Sequence, residues 1–355
     1  MALLGRKGAL VLLVAVCTFA LLALQAGDSR GSANQSNWNQ LNGVVGLSGY
    51  NITVFAQGTK DYFNPDSVEL VDKYVFIGYQ DNSLPDGSNH KPSTIVQYTL
   101  DGKFVRKVNI PGHCDGLRYD PYTKLVWATS NEDANPRLVT IDPASGDVTS
   151  YAVPQMLPHG GGIDDLAFVN GMAFIAGSNP TLNKNGVNTG PALYTVTLSN
   201  GKAKLTPALY GNAQATDIPT GNKVKLNLTD PDSITVDPKG QLVLDSQGDG
   251  ELVFVQNPGS KNQAVSRLLL GTQVDDSQWI PSGSENDHLI IVDSKADTIY
   301  SVSHKGGFTA GTVYTEAPSD SGVYSFVGTI NPKTGMISPV IIGLQSPTGL
   351  GLIPA

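Results

Sequence analysis

The clearest pattern of apolar and polar positions in this chain is a short module that begins with an aspartate. Pro231–Ser246 (PDSITVDPKGQLVLDS) shows it most fully, as a short alternating strand, a tight turn and a second strand. The first half, Asp-x-apolar-x-apolar, begins at Asp66, Asp115, Asp164 and Asp232, more weakly at Asp276, and returns without the acid at Thr348. A module repeated at such intervals is typical of a solenoid or a propeller.

From Asp66 onwards the alternation predicts groups of four short antiparallel strands. Tight turns such as Asp101-Gly102 and Asn170-Gly171 join neighbouring strands, and we see no convincing amphipathic helix. The first three groups are predicted at 66–71, 74–79, 94–100 and 104–110; at 115–119, 125–129, 138–141 and 148–153; and at 164–169, 172–176, 192–198 and 205–209. A fourth group runs from Asp232 to about Leu270. A fifth begins near Asp276, with 289–292 and 299–302 as its clearest strands.

The spacing of the modules predicts the number of groups. Successive first residues stand 49 (66 to 115), 49 (115 to 164), 68 (164 to 232), 44 (232 to 276) and 72 (276 to 348) residues apart. A four-stranded blade takes roughly 40–50 residues, so neither long interval holds two blades. We therefore predict an all-β, six-bladed β-propeller of four-stranded antiparallel blades, forming a single domain over residues 44–355.

Closure of this ring requires both ends of the chain. Thr348 lies too near the C-terminus for its blade to be completed downstream, whereas Tyr50–Ala56 alternates like a strand and has no hairpin partner nearby. We predict that N- and C-terminal strands share the last blade, which removes an exposed sheet edge. Residues 323–344 are expected to supply its other strands.

The module resembles the repeat of NHL-type propellers and of the regucalcin and gluconolactonase-like group, in which Pro-Asp-Gly-apolar-x-apolar-Asp-x-x-Gly recurs. The C-terminal SPTGLGLIPA is similar to the closing strand of such propellers. This resemblance covers the architecture of most of the chain. It implies that Asp232 matches the Pro-Asp metal aspartate of gluconolactonases. The early Glu-Gly-Pro motif of that group is absent, and Asn64-Pro65-Asp66 stands at the corresponding place.

Loop lengths predict which face of the propeller functions. Tight turns fall between the first and second and between the third and fourth strands of each group. The long polar loops 80–93, 130–137 and 177–191 join second and third strands, and the insertion 210–229 precedes a first strand. In an antiparallel meander these two kinds of connection lie at opposite ends, and long loops carry function more often than tight turns.

The candidate ligand-binding residues surround the channel mouth on that loop-rich face. They are Asp66, His113, Asp115, Asn131, Glu132, His159, Asp164, Asp165, Asp232 and Asp276. Converging carboxylates suit calcium or magnesium, and imidazoles also admit zinc, so Asp232, His113 and His159 are the candidate metal ligands. The alternative is structural, because an aspartate before a strand commonly accepts hydrogen bonds from nearby backbone amides.

Residues 1–26 stand apart from the propeller. Arg6 and Lys7 precede the apolar run 9–24, which is typical of a secretory signal peptide and is short for a membrane span. A membrane anchor is the alternative interpretation. Residues 27–43 are polar and predict a tether. Removal of the signal peptide leaves Cys114 as the only cysteine, so no intrachain disulfide is expected.

Charge and composition narrow the partners. The chain of 355 residues has a net charge of -8 and no Lys/Arg cluster after residue 7, which argues against nucleic acid. We expect an exported monomer, secreted or periplasmic, without membrane contact after cleavage. Two functions remain open. The loop face binds a small molecule, glycan or protein, or it carries a metal-dependent hydrolase or lyase with calcium or zinc at the channel mouth.

Overall fold

The computed structural model describes residues 41, 43–318, 322 and 324–355. The predicted signal peptide 1–26 and nearly all of the tether 27–43 lie outside these residues. In the described part, the sequence alternation is realised as 27 strands, β1 to β27, and one short 3-10 helix at Gln247–Asp249.

Six sheets, each with four antiparallel strands at its centre, form the ring, which confirms the predicted fold class. Blade 1 is β3 (Pro65–Val71), β4 (Tyr74–Tyr79), β5 (Pro92–Thr99) and β6 (Phe104–Pro111). Blade 2 is β7 (Cys114–Asp120), β8 (Leu125–Ser130), β9 (Arg137–Ile141) and β10 (Val148–Tyr151). Blade 3 is β11 (Leu166–Val169), β12 (Met172–Ala176), β13 (Pro191–Ser199) and β14 (Lys202–Tyr210). These bounds differ from the predicted ones by a few residues at most.

Blade 4 consists of β17 (Pro231–Val236), β18 (Leu242–Ser246), β19 (Glu251–Gln256) and β20 (Ala264–Leu269). It also carries the hairpin of β15 (Gln214–Asp217) and β16 (Lys223–Lys225), because β15 pairs in parallel with β20. The insertion 210–229 was predicted as a loop of the functional face. That prediction is wrong for its central part, which extends the outer edge of blade 4.

Blades 5 and 6 are interleaved along the chain. Blade 5 is β21 (Ser277–Trp279), β24 (Val313–Ala317), β25 (Phe326–Ile330) and β26 (Ile337–Ile342), with β1 (Val45–Gly46) on its edge. Blade 6 is β27 (Pro347–Ile353), β22 (His288–Asp293), β23 (Thr298–His304) and β2 (Tyr50–Gln57). The chain therefore leaves blade 5 after β21, forms β22 and β23 in blade 6, and returns at β24.

Two strand assignments from the sequence are wrong for this reason. The strands predicted at 289–292 and 299–302 belong to blade 6, and those within 323–344 belong to blade 5. The prediction assumed that strands consecutive in sequence share a sheet, which holds only in the majority of cases. Here β22 pairs with β27, the C-terminal strand, over the whole of its length.

Ring closure by both termini is confirmed. β2 is the outer strand of blade 6 and pairs antiparallel with β23, while β27 is the inner strand of the same sheet. The hydroxyl groups of Tyr50 and Tyr314 lie 3.0 Å apart and tie β2 to blade 5.

The apolar core is divided among the contacts between neighbouring blades. Each of six buried clusters draws its side chains from two adjacent blades, and together they pass round the ring. Tyr79, Phe174 and Tyr300 are among the largest fully buried side chains. Cys114 is buried in the cluster between blades 1 and 2, as a structural thiol would be. No helix in the described part of the chain is long and apolar enough to cross a membrane.

Candidate functional site

A cavity of about 270 Å³ opens where the inner strands of all six blades begin. The described residues that line it are all polar or charged: Asp66, Ser67, Gln80, His113, Asp115, Arg118, Glu132, Asp164, Asp165, Asp232, Ser233, Gln247, Asp275, Asp276, Ser294, Lys295, Ser346 and Thr348. Eight of these side chains are carboxylic acids. The prediction that the module aspartates converge at one end of the channel therefore describes their positions correctly.

The long loops lie beside one another at this end and are joined from blade to blade. The amide of Asp133 donates to Pro85 O at 3.1 Å, and the amide of Gly162 donates to Glu132 O at 2.9 Å. Further round the ring, Asn188 Nδ2 donates to Leu228 O at 2.7 Å. Gln80 and Glu132 reach the cavity from two of the loops that join second and third strands.

The innermost strand of each blade places one residue at an equivalent position near the channel mouth. Five of these six residues are aspartates and one is a threonine, and together they form what we call the outer ring. In blade 3 the amide of Asp164 donates to Ala176 O at 3.2 Å. In blade 5 the corresponding amide belongs to Asp275, which donates to Glu316 O at 3.0 Å. Asp275, which the sequence analysis missed, is thus the true equivalent of the module aspartates. Asp276 lies one residue further in, at the same level as Asp165.

The outer ring, as used below, consists of Asp66, Asp115, Asp164, Asp232, Asp275 and Thr348. Burial raises the pKa of each of its five carboxyl groups well above the ordinary range, and the neighbouring acids raise the pKa values further. The side chains of Asp164 and Asp232 are close enough to hydrogen-bond each other. The carboxyl groups of the ring therefore hold protons or need a positive charge among them.

One side of the ring offers a metal-binding geometry. A ring nitrogen of His113 and carboxylate oxygens of Asp115 and Glu132 all lie within 4.8 Å of one another. His113 Nε2 is 3.6 Å from Asp115 Oδ1. Among the described residues, no hydrogen-bond partner reaches Asp115 Oδ2, which is buried. A nitrogen with two carboxylates is a donor set that suits zinc or manganese, and additional carboxylates would admit calcium.

The protonation state of His113 follows from its contacts. Nδ1 is 2.8 Å from Ser83 O, a carbonyl that can only accept a hydrogen bond, so we assign the proton to Nδ1. Burial lowers the pKa of the imidazole. His113 is therefore neutral at pH 7, and the lone pair on Nε2 faces Asp115.

Two candidate residues are not brought to the cavity. His159 is buried behind the loops, with Nδ1 2.6 Å from Tyr194 OH and Nε2 2.9 Å from Gly162 O. Both of its nitrogens are committed to protein groups, so this geometry does not support its selection as a metal ligand. Asn131 Oδ1 accepts from the His113 amide at 2.8 Å, and this places Asn131 as a support for His113.

Arg118 is the most important residue that the sequence analysis missed. It projects into the channel from β7, and its Nη2 donates to Asp165 Oδ2 at 2.5 Å and to Asp276 Oδ1 at 3.3 Å. Its position in the module, three residues after Asp115, is occupied by Glu69 in blade 1 and by Thr235 in blade 4. A positive charge at a module position that faces the channel, with an acid at the same position of blade 1, was the signal available in the sequence.

Comparisons with known proteins bear on the fold alone. No protein-family model and no curated protein matches the sequence. Solved structures that resemble it include the periplasmic gluconolactonase of Pseudomonas aeruginosa, with 10% identity, a TM-score of 0.44, and 81% of this chain and 88% of that chain covered. Virginiamycin B lyase from Staphylococcus aureus shares 12% identity at a TM-score of 0.41, covering 75% and 95%. A protein of unknown function from Bacteroides caccae shares 10% identity at a TM-score of 0.46, with 83% of this chain and 88% of that chain covered. At such values the names of these proteins do not transfer to this chain.

Proposed function

We propose that the cavity at the channel mouth binds a divalent cation and, with it, a small oxygen-rich molecule. The observation that carries this proposal is the outer ring, in which five buried or half-buried aspartates and Glu132 surround about 270 Å³ of space. Like charges in a desolvated space repel strongly, and a divalent cation is the simplest ligand that removes the repulsion. His113, Asp115 and Glu132 would hold the cation, and Asp232, which is two blades further round the ring, lines the same cavity.

The lining sets the class of molecule that this protein binds. Because the described residues place no apolar side chain in the wall, they offer no apolar contact to an alkyl or aromatic group. Carboxylates accept hydrogen bonds from hydroxyl and ammonium groups, and Gln80 and Lys295 add donors at the rim. A small polyhydroxylated molecule therefore fits better than a folded protein or a long glycan, which would contact only the loops.

A hydrolase or lyase is the second candidate, and His113 favours it. The neutral imidazole presents an Nε2 lone pair beside the cavity, fixed by the bond from Nδ1 to Ser83 O at 2.8 Å, and so has the state that a general base requires. A bound divalent cation would supply Lewis-acid polarisation of a substrate oxygen. His113 would accept a proton at Nε2, and Asp115 would stabilise the imidazolium that forms.

Export is part of the same proposal. The signal-like residues 1–26 would bring the propeller to a compartment where calcium is abundant, and extracellular calcium modules bind with dissociation constants of about 10⁻⁴–10⁻³ M. A site of that affinity would be occupied by calcium in such a compartment.

Metal titration tests the proposal. We expect calorimetry with Ca²⁺, Mn²⁺ and Zn²⁺ to detect at least one site in the chelator-treated protein. Asp115→Asn and Asp232→Asn should each weaken it at least tenfold, because removal of even an outer-sphere contact costs about 10- to 100-fold. Asp72→Asn is the matched control, since Asp72 is exposed, has φ 54, a conformation that Asn also adopts, and lies in a turn at the opposite end. Unchanged affinity in both ring variants would contradict the proposal.

The enzymatic candidate requires its own measurement. A series of small lactones, assayed by proton release with and without Mn²⁺, would reveal hydrolysis that depends on the cation. His113→Gln should then abolish turnover, with at most a modest loss of cation affinity if His113 is the base and a large loss if it is a ligand. Binding of Mn²⁺ without turnover of any lactone would leave the binding function and remove lactone hydrolysis.

A further inference from the structure

Arg118 lies in the channel between two cavities. It lines the 270 Å³ cavity at the mouth and also a second cavity of about 520 Å³, which the other ends of the inner strands surround. The guanidinium group therefore lies in the channel between the two cavities. Its side chain is 16% exposed, so nearly all of its charge is met by protein groups.

Three carboxyl groups from alternate blades surround this guanidinium. Asp165 of blade 3 and Asp276 of blade 5 accept its hydrogen bonds at 2.5 and 3.3 Å, and Glu69 of blade 1 interacts with its charge. We call Glu69, Asp165 and Asp276 the inner girdle. Charge-assisted bonds from one guanidinium can satisfy several carboxylates because it presents five donors.

Each acid of the inner girdle also accepts a backbone amide of the next blade. Asp165 Oδ2 accepts from Ile234 N in blade 4 at 3.1 Å, and Asp276 Oδ2 accepts from Leu350 N in blade 6 at 3.1 Å. Glu69 Oε1 does the same with Tyr119 N in blade 2 at 3.1 Å. The girdle therefore ties blade 1 to 2, blade 3 to 4 and blade 5 to 6, with Arg118 at its centre.

The outer ring receives none of the hydrogen bonds that Arg118 donates within the described part of the chain. Its five aspartates face His113, which is neutral at pH 7, and Lys295, which lies at the rim. The two neighbouring tiers of acids thus differ in their contact with the Arg118 guanidinium, which donates hydrogen bonds to two acids of the inner tier. The Asp165 carboxyl group keeps one buried oxygen, Oδ1, that finds no hydrogen-bond partner within the described residues.

We propose that Arg118 is a resident cation that fills the inner girdle and so confines an exchangeable divalent cation to the outer ring. This rests on the proposed function, because it assigns the place where the cation binds. Asp165 and Asp276 would be positioning residues rather than metal ligands. Without the guanidinium they would offer the channel two more carboxylates directly beneath the outer ring.

The stoichiometry of Mn²⁺ binding tests this division. We expect Arg118→Gln, which removes the charge and keeps a hydrogen-bond donor, to bind one Mn²⁺ more than the wild-type protein in calorimetry. Arg118→Lys keeps the charge and should bind the same number as the wild type. The triple variant R118Q/D165N/D276N lacks both the guanidinium and the two acids, and it should return to the wild-type number with an affinity changed less than about tenfold, because the outer ring is intact.

The outcomes separate this inference from the proposed function. If the wild-type protein binds no Mn²⁺, the proposed function is contradicted. The role of Arg118 is judged separately, by comparing the number of Mn²⁺ ions that Arg118→Gln and the wild type bind. Equal stoichiometry in those two proteins would overturn it. If Arg118→Gln unfolds in chelator, millimolar Mn²⁺ should restore its cooperative unfolding transition. Failure of Mn²⁺ to restore the fold, with Arg118→Lys folded, would equally overturn it.

Discussion

Asp245 shows at the level of one residue how this propeller keeps acids away from water. It lies on β18 behind the outer ring and is 2% exposed, and neither of its oxygens meets a hydrogen-bond partner in the part of the chain that the structure describes. Burial raises the pKa of this carboxyl group well above its ordinary range, and Asp232 and Asp275 raise it further. In the folded protein Asp245 therefore keeps its proton to a higher pH than in the unfolded chain, and this difference lowers the stability of the fold as pH rises.

Asp245→Asn should for that reason stabilise the protein at pH 8 in the presence of chelator. The amide has nearly the same shape and does not titrate, so the free energy of unfolding should rise by about 1.4 kcal/mol for each pH unit above the unfolded pKa of about 4 over which the folded carboxyl group stays protonated. Urea unfolding at pH 8 and pH 4 measures this effect, which should disappear at pH 4. Asp72→Asn controls for the loss of one charge, and a destabilised Asp245→Asn at pH 8 would contradict the argument.

At the level of elements, the order of strands in blades 5 and 6 distinguishes this chain from a simple series of meanders. β21 has only three residues, and the chain then passes to β22 in the next blade before it returns at β24. Blades 5 and 6 therefore cannot form independently of each other. Because β27 and β2 come from opposite ends of the chain, the sixth sheet forms only when the whole chain is in place.

Removal of β1 and β2 tests this dependence. A chain that begins at residue 58 lacks Ile52, Val54 and Ala56, which pack against the clusters on both sides of blade 6. Each large aliphatic side chain contributes roughly 1.5–3 kcal/mol when fully buried, so thermal unfolding should occur at a much lower temperature and lose cooperativity. A chain that begins at residue 41 keeps both strands and is the control. Equal melting temperatures would show that the ring does not need the N-terminal strand.

At the level of the whole molecule, the outer-ring aspartates should make the fold less stable as pH rises, which is the opposite of the effect that carboxyl groups usually have. The folded pKa values of the outer-ring aspartates are raised above the ordinary value, chiefly by burial. Their contribution is fully present below the unfolded pKa of about 4 and is lost as pH rises through the folded pKa values. In chelator, the protein should accordingly become less stable between pH 4 and pH 8.

A divalent cation should reverse this trend, since it binds the ionised ring of the folded state. Urea midpoints measured across that pH range with EDTA and with millimolar Ca²⁺ would show two curves that diverge as pH rises. Stability that increases towards pH 8 in EDTA would contradict the raised pKa values. Curves that coincide at every pH would instead contradict cation binding by the folded protein.

The sequence alone predicts the number of blades, the strands of blades 1 to 3 and the end of the ring at which the acids gather. It could do so because alternation and tight turns are local properties, and because a repeated module places equivalent residues at equivalent positions. Asp66, Asp115, Asp164 and Asp232 were found in this way. Closure by Tyr50–Gln57 also followed, because a propeller cannot leave its last sheet incomplete.

The partner that each remaining residue meets depends on the tertiary structure. Hydrogen bonds to β24 show that Asp275, rather than Asp276, is equivalent to the module aspartates. The interleaving of blades 5 and 6 depends on pairs of strands that are distant in sequence. His159 contacts Tyr194 instead of lining the cavity. Arg118 gained its importance from acids 47 and 158 residues away along the chain. Electrostatic fields and sheet pairings act through space, so alternation along the chain does not record them.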